Sequence, residues 1–323
     1  MISIILLIKL FNRKRVYQTV RNNVIDAHAL VKKNKPTMGG IVSVFSILLS
    51  ALLFTNFDVY VIQALVISIS FAIVGFIDDY IKVFKKNTNG FKGSIKIILQ
   101  LVVCSIVVIW SSYVGMPFLD GNVMLPFNYL FKLGIFIGIY IVFVITGSAN
   151  AVNLTDGLDG LAIIPIIFTM IAFIFIILFP NYFEPFNKEN LSGILVLCCA
   201  VVGNGIAFFL FNKYPAKIFM GDVGSLFYGS LLGYVSIILK YEIFFAVAGL
   251  IFVLEAGSTI IQVFSHFLWG KRILKSAPLH HHFEKSGWSE RKIILSFWTF
   301  YLICLLFAVY LFWYRPLSMC PIK

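Results

Sequence analysis

Apolar residues fill this chain in long blocks separated by short polar turns, at 39–57, 59–77, 95–114, 131–149, 161–180, 191–211, 223–239, 243–264 and 293–313. A helix rises about 1.5 Å per residue, so about 20 residues cross a hydrocarbon layer of about 30 Å. Each block has roughly that length. An apolar segment at 1–11 stops at Asn12-Arg13-Lys14-Arg15 and reads as a short first helix, extended past Arg15 as an amphipathic one, or as the stump of a longer one. No basic region precedes it and no cleavage-type segment follows, so it lacks the arrangement of a signal peptide. The pattern predicts an all-α integral membrane fold, a bundle of ten transmembrane helices in a single polytopic domain, 1–323.

The turns differ sharply in charge. Lys and Arg number seven in 12–38, four in 78–94, none in 150–160, two in 212–222 and six in 266–292. The alternate loops and tail hold only Lys188, Lys240, Arg315 and Lys323. Cytoplasmic loops are enriched in Lys and Arg, which puts the first set inside and both termini outside the cytoplasm. Lys9, Lys96 and Lys132 fall inside or at the ends of spans. In the outer loop 115–130 an Asp-Gly pair flanked by apolar residues predicts a small β-hairpin.

Composition agrees with lipid as the solvent: 60% of residues are hydrophobic and 12% charged, where soluble domains have about 25% charged residues. The net charge of +12 follows from topology and attraction to anionic headgroups, so nucleic-acid binding is not needed to explain it. Of the cysteines Cys104, Cys198, Cys199, Cys304 and Cys320, the first four lie in apolar runs, which argues for packing rather than disulfides or zinc.

Unusual polar residues gather in the turns assigned to the cytoplasmic side. Asp78 and Asp79 are adjacent, and Lys82 lies within one helical turn of both, placed to neutralise one of them; a solvated helix end is the plain alternative. The turn from Asn150 to Gly160 holds Asn153, Asp156 and Asp159 and no cation. Helix capping would use one of these residues and leave the others unexplained. Asp222 opens the eighth span, counting 1–11 as the first, either as an N-cap or as a magnesium ligand beside a diphosphate, since magnesium takes one or two carboxylates with substrate oxygens. Near it are Asn212 and Phe219, a ring placed for stacking on a base or for packing. His280, His281 and His282 are consecutive, a spacing that suits phosphate oxygens better than zinc. The first basic loop ends in Thr37 before Gly39-Gly40, an ordered turn with Lys32, Lys33 and Lys35 at hand. Glu255 lies inside an apolar run and is expected to face the bundle, with Gly257-Ser258 as the point where that ninth long helix bends.

Five segments in order, Pro36–Gly40, Asp78–Lys82, Asn153–Gly160, Phe219–Asp222 and Pro278–Glu284, resemble the signatures of the phospho-N-acetylmuramoyl-pentapeptide-transferases, within the polyprenyl-phosphate N-acetylhexosamine-1-phosphate transferases. The resemblance spans nearly the whole chain, and the triple histidine favours this family over relatives that move N-acetylglucosamine phosphate. It implies ten helices in the bacterial plasma membrane, with both termini outside and a magnesium-dependent site on the cytoplasmic face. The implied reaction joins UDP-N-acetylmuramoyl-pentapeptide to undecaprenyl phosphate, giving lipid I and UMP. By motif, Asp222 is the magnesium ligand, and Asp78 and Asp79 are catalytic or metal-adjacent. Asn212, Phe219, Asp156 and Asp159 form or border a uridine region, and the histidines line the phosphate or peptide side.

Both substrates are anionic, so the protein must remove their repulsion. In-line attack of the lipid phosphate on the β-phosphorus, with Asp78 as base, is the expected route, and an aspartyl-phosphate intermediate is the competitor. Two other functions fit parts of the pattern: a sister transferase using UDP-N-acetylglucosamine, and an ion-coupled transporter, which would carry its polar residues near the midplane. A homodimer is left open.

Overall fold

The computed structural model describes residues 1–14, 16–17, 35–85, 90–179 and 191–313. Lys32, Lys33, Lys188, Arg315, Cys320 and Lys323 lie outside them. The helices, in chain order, are α1 (Ile2–Lys14), α2 (Gly40–Phe54), α3 (Val59–Phe84), α4 (Gly93–Val114), α5 (Ile137–Thr155), α6 (Ile163–Leu178), α7 (Ser192–Asn212), α8 (Gly221–Leu239), α9 (Glu242–Ala248), α10 (Leu250–Trp269), α11 (Leu279–Lys285) and α12 (Glu290–Trp313). Every apolar block is helical over most of its length. Among the described residues seven helices are long and apolar enough to cross a membrane, and α2 and α6 are shorter apolar helices.

The fold is organised around α8, whose residues from Val223 to Leu239 are all buried. A helix that is apolar all round belongs in the interior, and α8 lies between α3 and α5, with α2, α6 and α9 also against it. Outward faces keep large apolar side chains exposed, among them Ile106 on α4, Phe264 on α10 and Leu306 on α12. Such surfaces suit lipid, not water.

Two expectations need correction. The hairpin exists, with β1 (Asn122–Met124) antiparallel to β2 (Leu130–Lys132), Val123 opposite Phe131. Its turn is not Asp120-Gly121, which precede β1; the strands are joined through 125–129, where Phe127 takes φ 61°. Asp120 instead caps the loop: its side chain accepts from Asn122 N at 3.0 Å and from Lys240 Nζ at 2.5 Å. Lys240, at the end of α8, also donates to Phe118 O at 2.7 Å and Asn122 O at 2.8 Å, tying the hairpin to the central helix. The second correction concerns the block 243–264. It breaks at Gly249, between α9 and α10, and α10 continues unbroken through Gly257-Ser258. Ser258 Oγ donates to Glu255 O at 2.8 Å, which satisfies the hydroxyl within the helix without opening it.

Candidate active site

The polar end of the bundle is built from α3, which delivers its carboxylates at its last turns, and from the first turn of α8. Gly75 makes this possible. A Cβ there would overlap the backbone carbonyl of Asp222, so only glycine lets α8 begin directly against α3. Gly221, at φ +75°, turns the chain into α8; a Cβ on it would stand 2.5 Å from Asp79 Oδ2.

Asp222 is not the N-cap of α8, which is Met220. Its carboxylate is gripped from three helices. Lys96 Nζ of α4 lies 2.7 Å and Lys82 Nζ of α3 3.2 Å from Oδ2, and Asn153 Nδ2 of α5 donates to Oδ1 at 2.9 Å. The same two ammoniums reach Asp78 Oδ2, Lys82 at 2.6 Å and Lys96 at 3.6 Å. Lys82 therefore neutralises Asp78 one turn before it, as its spacing predicts. Asp78 Oδ1 also accepts from Phe91 N at 2.6 Å. Asp79 faces a different way: buried, it accepts from Val223 N at 3.2 Å. A carboxylate on the first N–H groups of a helix is favourable, because those donors have no partner within the helix.

Lys96 was not singled out by the sequence motifs. The signal was a lysine inside an apolar block, which requires a countercharge when it is not at a water-facing end; Asp222 and Asp78 supply it.

The donor set can be tested against magnesium. Asp78, Asp79 and Asp222 set three carboxylates, all hard oxygen donors, against two ammoniums. Among the described residues no three His, Cys, Asp or Glu side chains form a closed metal cage. Magnesium does not need one, because it is held by one or two carboxylates with waters and substrate oxygens. The residues fit that partial shell, with Asp222 and Asp78 as the protein's share.

A second polar group centres on Asp159. Asp159 accepts from Ala216 N at 2.7 Å and Lys35 Nζ at 3.4 Å, while its own N–H donates to Glu290 Oε1 at 3.1 Å. It fixes the loop after α7. Asn212 does likewise, donating to Ile218 O at 3.0 Å from a buried position. Phe219 is half-buried with Lys35 Nζ 5.6 Å from its ring centre. The turn 36–40 runs alongside: Phe219 N donates to Pro36 O at 2.9 Å, Gly39 N to Phe219 O at 2.8 Å and Gly40 N to Met220 O at 2.9 Å. Thr37 is buried in this turn. Asp156 is the C-cap of α5, half-buried, and α6 starts without any side-chain cap, so the Asn/Asp-rich turn does not serve to cap α6.

The three histidines separate in role. Glu255 is fully buried on α10, as expected, and accepts from His280 N at 3.1 Å and bonds His280 Nδ1 at 2.9 Å. His280 Nε2 packs over Gly157, where a Cβ would collide with it. His281 Nδ1 bonds Glu284 at 2.5 Å, and His282 Nδ1 accepts from Lys275 N at 3.2 Å. His280 thus joins the histidine helix to the Asp156 turn.

Burial holds the His280 imidazole below its ordinary 6.5, although the hydrogen bond and charge of Glu255 pull it back up. Below 6.5 the unfolded chain takes up a proton that the folded chain refuses. The stability from this neutral histidine is complete above 6.5 and is lost as pH falls toward the folded value. Thermal unfolding in detergent should show the midpoint dropping between pH 7 and 5.5, with a shallower drop in His280→Gln. Equal slopes in both proteins would contradict this.

Residues 61–240 match the family described as glycosyl transferase family 4. The chain is 43% identical over 306 residues to the phospho-N-acetylmuramoyl-pentapeptide-transferase of Rickettsia felis, covering 90% of this chain and 82% of that one. It is 42% identical over 308 residues to the enzyme of that name from Rickettsia prowazekii, covering 91% and 84%. For Orientia tsutsugamushi the figures are 41% over 311 residues, covering 92% and 85%.

Proposed function

This chain belongs to glycosyl transferase family 4, among the phospho-N-acetylmuramoyl-pentapeptide-transferases, and on that premise we propose that it moves phospho-N-acetylmuramoyl-pentapeptide from UDP to undecaprenyl phosphate. The products are lipid I and UMP. The observation that carries this reading is the grip of Lys82, Lys96 and Asn153 on Asp222 beside Asp78. An anionic diphosphate meeting an anionic lipid phosphate needs cations at that point, held without reorganisation.

Asp222 and Asp78 would hold a magnesium ion, which when bound supplies positive charge against the diphosphate. Lys82 and Lys96 contribute fixed positive charge within the same cluster. An oxygen of the lipid phosphate attacks the β-phosphorus, a new P–O bond forms, and the bond to the bridging oxygen breaks to release UMP. Asp78 takes the proton of a lipid phosphate that arrives protonated. Asn212, Phe219, Asp156 and Asp159 form or border the uridine region, and His280, His281 and His282 border the phosphate or peptide side. The site faces the cytoplasm in a ten-span bundle with both termini outside. That topology is supported by the excess of Lys and Arg in the loops at the site's end. Concentration of charge at one end of the bundle, not at its middle, disfavours transport.

The test is UMP release by purified full-length protein from UDP-N-acetylmuramoyl-pentapeptide and undecaprenyl phosphate, with magnesium and with chelator. Magnesium-dependent release with lipid-linked product is the expected result. Turnover only with UDP-N-acetylglucosamine would move the chain to the sister activity. A trapped phosphosugar–enzyme adduct would replace direct attack by the two-step route.

A further inference from the structure

A second polar layer lies one helical turn deeper than Lys96 and Asn153. On α4 the buried positions are Lys96, Gln100, Cys104, Val107 and Ser111, a single face at helical spacing. On α5 the facing residues are Asn153, Asn150 and Thr146. Asn150 Nδ2 donates to Gln100 Oε1 at 2.6 Å and to Thr146 O at 2.8 Å, and Thr146 Oγ1 lies 3.8 Å from Cys104 Sγ. Lys96 and Gln100 are one turn apart, as are Asn150 and Asn153. The two helices therefore meet in two polar rungs, Lys96–Asp222–Asn153 at the site and Gln100–Asn150 beneath it.

We infer that Gln100 and Asn150 are positioning residues for the transferase site, setting α4 against α5 so that Lys96 and Asn153 close on opposite oxygens of Asp222. The inference rests on the reading of the reaction above. The rung is a poor source of stability. Gln100 is fully buried, and its Nε2 finds no partner among the described residues. A buried donor left unmade costs more than a typical hydrogen bond contributes, so an apolar pair would pack here at least as well. What an apolar pair lacks is direction. Both amide hydrogens of Asn150 are engaged, one to its own helix and one to Gln100, and this admits one rotation and one register of α4. Lys96 has four flexible methylenes and would otherwise reach Asp78 or Asp222 in several ways; on this backbone it lies 2.7 Å from Asp222 and 3.6 Å from Asp78.

The test compares Gln100→Leu, Asn150→Leu and the exchanged pair Gln100→Asn with Asn150→Gln, all in full-length protein in detergent. Kinetics are read by UMP release, and Lys96 reactivity by mass spectrometry after brief treatment with an amine-reactive reagent. In both Leu variants kcat should fall about ten- to a hundred-fold with KM nearly unchanged, and Lys96 should label several-fold faster. The exchanged pair should recover both. Asn150→Ala carries the same expectation if Leu at either position prevents folding. Unchanged Lys96 labelling in folded variants would overturn the inference, as would a loss of activity that tracks only the folded fraction. If the wild-type chain releases no UMP, the reading of the reaction fails, while the labelling comparison still decides the positioning role.

Discussion

Asp222→Asn should reduce turnover about a thousand-fold, equivalent to about 4 kcal/mol of transition-state stabilisation, while leaving the protein folded. The two outcomes separate because of how the cluster is wired. Asparagine has the same shape and still accepts a hydrogen bond, and both lysines keep a second carboxylate within reach, Lys82 at 2.6 Å and Lys96 at 3.6 Å from Asp78. No ammonium is left buried and unpaired, which is the condition that makes broken ion pairs strongly destabilising. What disappears is one negative charge at the point where α8 meets three other helices, along with half of the carboxylate pair that suits magnesium. Lys96→Met removes the partner from the other side. If the residues act as one unit, the double variant should be little worse than the less active single variant, because effects within such a unit do not add. UMP release by the single and double variants, with thermal midpoints beside it, checks both statements. An Asp222→Asn enzyme retaining more than about a tenth of wild-type turnover would remove Asp222 from the centre of the reaction.

The chain's helices are legible because lipid imposes a length on every apolar block, and each block is largely helical. Breaks within a block are less legible. Gly257-Ser258 and Gly249 both offer a kink, and the chain breaks at Gly249, where it turns between α9 and α10. A serine bonded to a preceding carbonyl of its own helix can bend that helix without interrupting it, and α10 is continuous there. The hairpin illustrates the same limit. Asp120-Gly121 has turn chemistry, but Lys240 from the end of α8 claims Asp120, and the strands close around 125–129 instead. At the site, local spacing revealed Lys82 beside Asp78, since both lie on one helix. The partnership of Lys96 with Asp222 joins residues of α4 and α8, and Glu255 with His280 joins α10 to α11. Such pairs depend on how helices rotate against each other, which no single block encodes. The apolar context of Lys96 and Glu255 announced only that a partner must exist.

Gly75→Ala should be nearly as damaging to turnover as a change in the carboxylates, although Gly75 carries no chemistry. Its added Cβ meets the Asp222 carbonyl and the Val223 amide, which are backbone atoms in the first turn of α8 and cannot rotate away. Relief requires α8 to withdraw from α3. That movement separates Asp222 from Lys82 and Asp78, and it stretches the bond from Val223 N to Asp79, already 3.2 Å. Overpacking of this kind costs about 1–3 kcal/mol in stability, and a displacement of about 1 Å at reacting groups costs about a hundred-fold in rate. Gly203→Ala is the matched control: a Cβ there meets nothing within 4 Å, and alanine in a helix interior is favoured over glycine by up to about 1 kcal/mol. The control should match or exceed the wild-type thermal midpoint and keep full activity. The decisive comparison is turnover per folded molecule. If Gly75→Ala loses only folded protein and the surviving fraction turns over normally, the contact between α3 and α8 supports the fold without setting the geometry of Asp222. A loss of kcat in folded protein, absent from the control, would show that the backbone contact at Gly75 holds the carboxylate cluster in register.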